Sequence, residues 1–226
     1  MNKRYLAEFI GTFFIVFVPI SVGAVGTNPG LLVAAIASGF PVLAMIYALG
    51  PISAAHFNPA VTLAFALTKK FPWKSVFPYW IAQLAGSVFA AWLALSLFGS
   101  PSGSHIPSNP NNLIRNLGVE ITISALLMFV ISAVATDKRV NGAVPAIAIG
   151  FTVVVGVLIG GPITGGSMNP ARSFGPALFA STAEAMSNYW LYIVGPIIGA
   201  AIAAFAYEAI RLEPEFSKGA PDNLPN

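Results

Sequence analysis

The sequence of 226 residues contains no cysteine, which excludes disulfide frameworks, thiolate metal sites and cysteine nucleophiles together. Charge is nearly as scarce. Asp, Glu, Lys and Arg make up 8% of the chain, where ordinary soluble domains carry about 25%, so there is too little polar surface to face water on all sides. Eleven basic residues against eight acidic ones leave a net charge of +3. The pI is near 9.3, yet so small an excess builds no field able to grip a nucleic-acid backbone. Only two histidines, His56 and His105, are present, and they lie far apart in sequence. No HExxH motif and no intramembrane nucleophile–base pair accompanies them. The sequence therefore predicts neither an enzyme, nor a metal site, nor a bound cofactor.

Apolar residues are abundant. They make up 56% of the chain, and the mean hydropathy is +0.78, which excludes disorder and indicates an integral membrane protein. A bilayer core about 30 Å thick requires roughly 20 apolar residues of helix. Six stretches qualify or nearly so, at 5–25, 31–49, 76–98, 113–136, 143–159 and 188–210. Gly-, Pro-, Ser- and Asn-rich segments at 26–30 and 99–112 separate them, as does the charged run 136–139. The first stretch follows Lys3 and Arg4 but is longer than the apolar region of a signal peptide.

With six spans, both termini and the second-to-third and fourth-to-fifth connections share one side. That side holds Lys3, Arg4, Lys69, Lys70, Lys74, Lys138, Arg139, Arg211 and Lys218, nine of the eleven basic residues. Basic residues favour the cytoplasm, so both termini are expected there, in a multi-pass protein of the cell membrane. Residues 213–226 read as a polar cytoplasmic tail.

Two further apolar segments are too short to cross. They follow Ser53-Ala54-Ala55-His56-Phe57-Asn58 and Gly165-Gly166-Ser167-Met168-Asn169, and each runs for 11–12 residues, about 17 Å of helix. Both open on one tripeptide, Asn58-Pro59-Ala60 and Asn169-Pro170-Ala171. Asn is a favoured helix N-cap and Pro a favoured first helical residue. Each tripeptide therefore predicts the start of a half-helix, preceded by irregular backbone dipping into the membrane. Such backbone must be buried in protein or line a water-filled cavity.

The pattern repeats. Glu8 precedes Asn58 by 50 positions, and Glu120 precedes Asn169 by 49. Each half, about 1–105 and 106–212, contains a Glu-bearing span, a second span, a half-helix and a third span. Three spans per half reverse the second half in the membrane, giving an inverted repeat within one channel domain over 1–212. The predicted fold is all-α, with six transmembrane helices and two re-entrant half-helices. Their N-termini meet near the midplane, each with roughly half a positive charge from its macrodipole. With the Asn58 and Asn169 amides they form a donor-rich, positive centre, passable to neutral molecules and opposed to cations and protons.

These motifs resemble the major intrinsic protein family, the aquaporins and aquaglyceroporins. The resemblance is carried by His56-Phe57-Asn58-Pro59-Ala60-Val61-Thr62 and Met168-Asn169-Pro170-Ala171-Arg172-Ser173, with support from Ala7-Glu8-Phe9-Ile10-Gly11-Thr12 and Gly195-Pro196-Ile197-Ile198-Gly199. It implies a homotetramer with a pore in every monomer. By the same resemblance Arg172 is the arginine of the narrow outer filter, and ungapped counting assigns Ser38, Val157 and Gly166 to its other corners. This set lacks the aromatic and histidine of water channels and the bulky aromatics of glycerol facilitators. It is most similar to the nodulin-like intrinsic proteins and their bacterial relatives, and implies a wide filter without ring or imidazole. Glycerol, urea and boric, silicic or arsenous acid, with water, are the implied permeants. Phe40, two residues on, is the alternative to Ser38, and a water-selective pore is the alternative function.

Glu8 and Glu120 are ionisable groups within spans. They read either as anchors for the re-entrant loops or, as a secondary transporter would need, as a proton relay. His56 is expected to line or brace the cytoplasmic vestibule. Gly50-Pro51 and Ala54-Ala55 depart from the Gly-His and glycine pair common in the family, so the first loop must be held differently. Ala35/Gly39, Ala82/Gly86, Gly156/Gly160 and Gly195/Gly199 predict close helix packing, and Trp73, Trp80 and Trp190 an interfacial belt.

Overall fold

A computed structural model describes residues 2–26, 30–99, 103–136, 140, 142 and 144–211. The tail 213–226, together with Lys138 and Arg139, lies outside the described residues. The described chain forms α1 (Lys3–Val25), α2 (Gly30–Ser53), α3 (Pro59–Leu67), α4 (Val76–Phe98), α5 (Leu113–Thr136), α6 (Val144–Thr164), α7 (Pro170–Leu178), α8 (Ala183–Ser187) and α9 (Leu191–Ile210). Six of these segments are long and apolar enough to cross a membrane. The nine-residue α3 and α7, about 13 Å each, are too short.

Two spans outrun the sequence expectation. Helix α2 continues past Leu49 to Ser53, and α6 past Ile159 to Thr164, each through a proline, Pro51 and Pro162. Proline removes one backbone donor, and inside a membrane bundle neighbouring groups compensate. The extra turn brings the Ser53 and Thr164 hydroxyls to the protein centre. The sixth span instead starts later, because residues 188–190 form a turn: the Leu191 amide donates to the Asn188 carbonyl at 3.1 Å.

The two halves interlock. Helix α1 packs on α4 and α5 on α9, while α2 crosses α6 between the halves. Half-helix α3 lies against α9, and α7 against α4, so each is held by the third span of the opposite half. Close approach depends on missing side chains. A Cβ on Gly86 would strike the Phe9 carbonyl of α1, and one on Gly199 the Ile121 carbonyl of α5. Gly39 and Gly150 play this part for each other at the α2–α6 crossing.

Polarity is inverted relative to a soluble protein. Glu8, Gln83 and Glu120 are fully buried, whereas Phe77 and Ile114 are 68% and 89% exposed. Trp73 and Trp190 are exposed near span ends. Trp80 turns inward, and its Nε1 donates to the Pro59 carbonyl at 3.1 Å. It pins α3 instead of serving only a belt.

Candidate functional site

The half-helices begin as the tripeptides predict. Asn58 caps α3, its side chain accepting from the Ala60 amide at 2.9 Å. Asn169 caps α7, accepting from Ala171 and Arg172 at 2.9 and 3.3 Å. Capping commits both carboxamide oxygens, so both NH2 groups must donate. Asn58 Nδ2 reaches the Met168 carbonyl at 2.8 Å, and Asn169 Nδ2 the Phe57 carbonyl at 2.9 Å. Each asparagine thus ties its loop to the opposite loop with one N–H and keeps a second for a passing acceptor.

The loops hang from two buried carboxyls. Glu8 accepts from the Ser53 hydroxyl (2.7 Å), the His56 and Phe57 amides (3.0 and 2.7 Å) and Gln83 Nε2 (2.8 Å). Glu120 accepts from the Thr164 hydroxyl (2.6 Å) and the Ser167 and Met168 amides (3.0 Å each). Tyr79 and Tyr192 add matching bonds, their hydroxyls donating to the Ser53 and Thr164 carbonyls at 2.8 and 2.6 Å. The first loop does what the second does with different residues: Ala54 and Ala55 adopt φ of +66° and +52°, Gly165 and Gly166 +89° and +65°.

Two chambers meet at Arg172. The chamber on the His56 side, about 100 Å³, is lined by His56, Asn58, Asn169 and an apolar wall including Val42, Ile149 and Val153. The chamber on the His105 side, about 250 Å³, is lined by Ser38, Val157, Gly165, Ser104 and His105. Arg172 borders both. Neither Glu8 nor Glu120 lines a chamber.

Arg172 is 91% buried by its 9% exposure. Its Nη2 donates to Ser38 Oγ at 2.9 Å, and its Nη1 to the Gly166 carbonyl at 2.9 Å. Its Nε has no protein partner among the described residues. Of the four residues assigned to the filter, Arg172 by resemblance and the others by counting, Ser38, Val157 and Arg172 line the wider chamber. Gly166 contributes its carbonyl, and Gly165 supplies the lining. Phe40 is 51% exposed on the outer face, against Phe151. The expectation of a constriction without imidazole needs correction, because His105 arrives from the link between the halves and places Nε2 2.8 Å from Arg172 Nη1. Its partner is 67 positions away, and no local pattern marks that approach.

His56 is buried at the other chamber. Its Nδ1 lies 3.1 Å from Thr62 Oγ1, and its ring packs against Phe65, Phe71 and Tyr79. Tyr79, Tyr192, Ser53 and Thr164 were not singled out from sequence. Each pair recurs at nearly the spacing of Glu8 and Glu120, a signal that could have found them. Gln83 has no such counterpart, since Pro196 stands there.

A sequence profile of the family described as "Major intrinsic protein" matches residues 1–207. A probable NIP-type aquaporin of Nicotiana alata is 44% identical, covering 92% of this chain and 78% of its own. Putative aquaporin NIP4-1 of Arabidopsis thaliana is also 44% identical, over 93% and 75%. The X-ray structure of the aquaglyceroporin from Plasmodium falciparum superposes with a TM-score of 0.81 at 21% identity, covering 92% of this chain and 96% of that one. Together with six apolar helices around two opposed half-helices, these matches place the chain in the major intrinsic protein family, as a multi-pass aquaporin-type membrane channel and not an enzyme.

Proposed function

We propose that this channel passes small neutral hydroxylated or amide solutes, such as glycerol, urea and boric, silicic or arsenous acid, together with water, and excludes ions and protons. The observation that carries this reading is the partner of Arg172. A serine hydroxyl and a glycine carbonyl meet the guanidinium, and Val157 supplies the wall, so no aromatic side chain from α2 or α6 fills the wider chamber. Free N–H groups on Arg172 and the two asparagines offer donors to a solute oxygen, while Val157, Val153 and Ile149 face its apolar side. Cations meet two helix N-termini and a guanidinium without an acidic ring to replace their hydration.

Glu8 and Glu120 act in this reading as loop anchors and not as a proton relay. Their oxygens are engaged by loop donors, and they stand away from both chambers. The His105-side chamber opens outward, the His56 side faces the cytoplasm with both termini, and residues 1–212 act as one pore domain within a homotetramer of the cell membrane. The positive-inside bias supports the orientation, and the exchange of half-helices supports the single domain.

Stopped-flow light scattering on proteoliposomes tests the reading by comparing water, glycerol, urea and the neutral metalloid acids on one preparation. Solute flux well above that of empty vesicles, without accumulation under a proton or sodium gradient, is expected. Water flux alone establishes the water-selective alternative.

A further inference from the structure

Arg172 is braced on the side away from Ser38 by a hydrogen-bonded chain whose proton order can be read from chemistry. Arginine only donates, so His105 Nε2, 2.8 Å from Arg172 Nη1, must accept. The ring must then be neutral and carry its proton on Nδ1, which donates to Ser173 Oγ at 3.0 Å. The Ser173 hydroxyl is left to donate to Ser167 Oγ, its other neighbour. Ser167 in turn donates to the Asn169 carbonyl at 2.9 Å. The chain runs in one direction from the guanidinium to the cap residue of α7.

The site is built for this one tautomer. His105 is 6% exposed, its ring sits against Tyr192, and a Cβ on Gly165 would strike its Cδ2. An imidazolium there would point N–H at a guanidinium that offers no acceptor. Burial, and secondarily the charge of Arg172, hold its pKa well below the ordinary histidine range.

We propose that His105, as the neutral Nδ1–H tautomer, is a positioning residue that acts through Arg172: it fixes the guanidinium from the loop side and so sets how the aperture discriminates among neutral solutes. The inference rests on the reading of Arg172 as the front of the conducting path. Without the brace, Nη1 loses the one side-chain acceptor it has among the described residues and keeps only the Gly166 and Ser167 carbonyls, at 2.9 and 3.4 Å. The guanidinium is then held less tightly and can tilt toward the aperture that Ser38 and Val157 leave open.

Two measurements test it. In the nitrogen spectrum of histidine-labelled protein in bilayers, where only His56 and His105 contribute and His105→Gln assigns the second signal, a protonated Nδ1 and bare Nε2 are expected at pH 7. An Nε2–H tautomer or an imidazolium overturns the proposal, whatever the channel conducts. In proteoliposomes, His105→Leu is expected to lower the urea-to-water and glycerol-to-water flux ratios by roughly fivefold, the scale of one lost hydrogen bond. His105→Gln, with one acceptor for Arg172 and one donor for Ser173, is expected to restore them to within about twofold. A folded His105→Leu protein with parental ratios, or a His105→Gln protein as impaired as His105→Leu, overturns the proposal. Should His105→Leu not fold, Ser173→Ala decides: a changed His105 nitrogen spectrum supports the chain, and an unchanged one refutes it. A parent that conducts no solute refutes the proposed function and leaves the spectroscopic result standing.

Discussion

The two halves of this channel solve one problem with different residues. In the first, Glu8 receives four donors, the fourth from Gln83, which also reaches Thr62 Oγ1 at 3.0 Å. In the second, Glu120 receives three, and Gly195 of α9 packs against its Cβ. The first loop turns through two alanines in left-handed backbone, the second through two glycines. His56, beside the first half-helix, bonds to Thr62; its counterpart Ser167 bonds to Ser173, and an imidazole is brought in from His105 instead. The scaffold is thus symmetric where it holds backbone and asymmetric where it meets solute. Only the second half-helix carries an arginine, so only that end needs a separate brace.

The largest test of this comparison removes the anchors. Leucine at Glu8 or Glu120 strands loop donors in a dry interior at about 1–3 kcal/mol each. Both variants should lose monodispersity in detergent at lower temperature, and Glu8→Leu should fall further because it orphans one more donor. Equal losses would show that Gln83 contributes nothing to the anchor.

A smaller effect on stability but a large one on selectivity is expected from narrowing the asymmetric end. Val157→His with Ser38→Phe should reduce urea and glycerol flux about tenfold or more while water flux stays within about twofold. Unchanged solute flux, read by stopped-flow scattering, would favour the water-selective alternative.

The loop turns offer a third comparison. Left-handed backbone costs a non-glycine residue about 1–2 kcal/mol, so Ala54→Gly and Ala55→Gly should each stabilise by up to about 1 kcal/mol after glycine's own entropy is subtracted. The reverse changes, Gly165→Ala and Gly166→Ala, should destabilise by more, since a Cβ at Gly165 also meets His105. Thermal unfolding in detergent reads both signs.

The smallest effect is on pH dependence. Folded His105 resists protonation, whereas the unfolded chain takes its proton near pH 6.5. Below that pH the unfolded state binds more protons, so the contribution is fully present above about 6.5 and is lost progressively as pH falls. A melting series from pH 8 to 5 should be flat at the upper end and decline below, and His105→Gln should make the decline shallower. A parental series with no decline would place the imidazole in a wetter setting than its burial indicates.

The sequence determined most of the scaffold. Apolar run length counts spans, the paired tripeptides locate the half-helices, and Glu8 and Glu120 stand at nearly equal distances from them, because each feature is local or repeats at a nearly fixed interval. Helix ends were less legible: the expected spans stop at Leu49 and Ile159, whereas α2 and α6 run on through Pro51 and Pro162 to present Ser53 and Thr164. Around Arg172, counting along the family pattern assigned Ser38, Val157 and Gly166, whereas the approach of His105 was decided by the tertiary structure alone. Ser38 approaches from 134 positions away and His105 from 67, and no periodicity encodes a contact between residues so separated. Membrane burial fixes which segments form helices. The shape of a constriction depends on which atoms several helices and a connecting loop bring to one point, and only packing decides that.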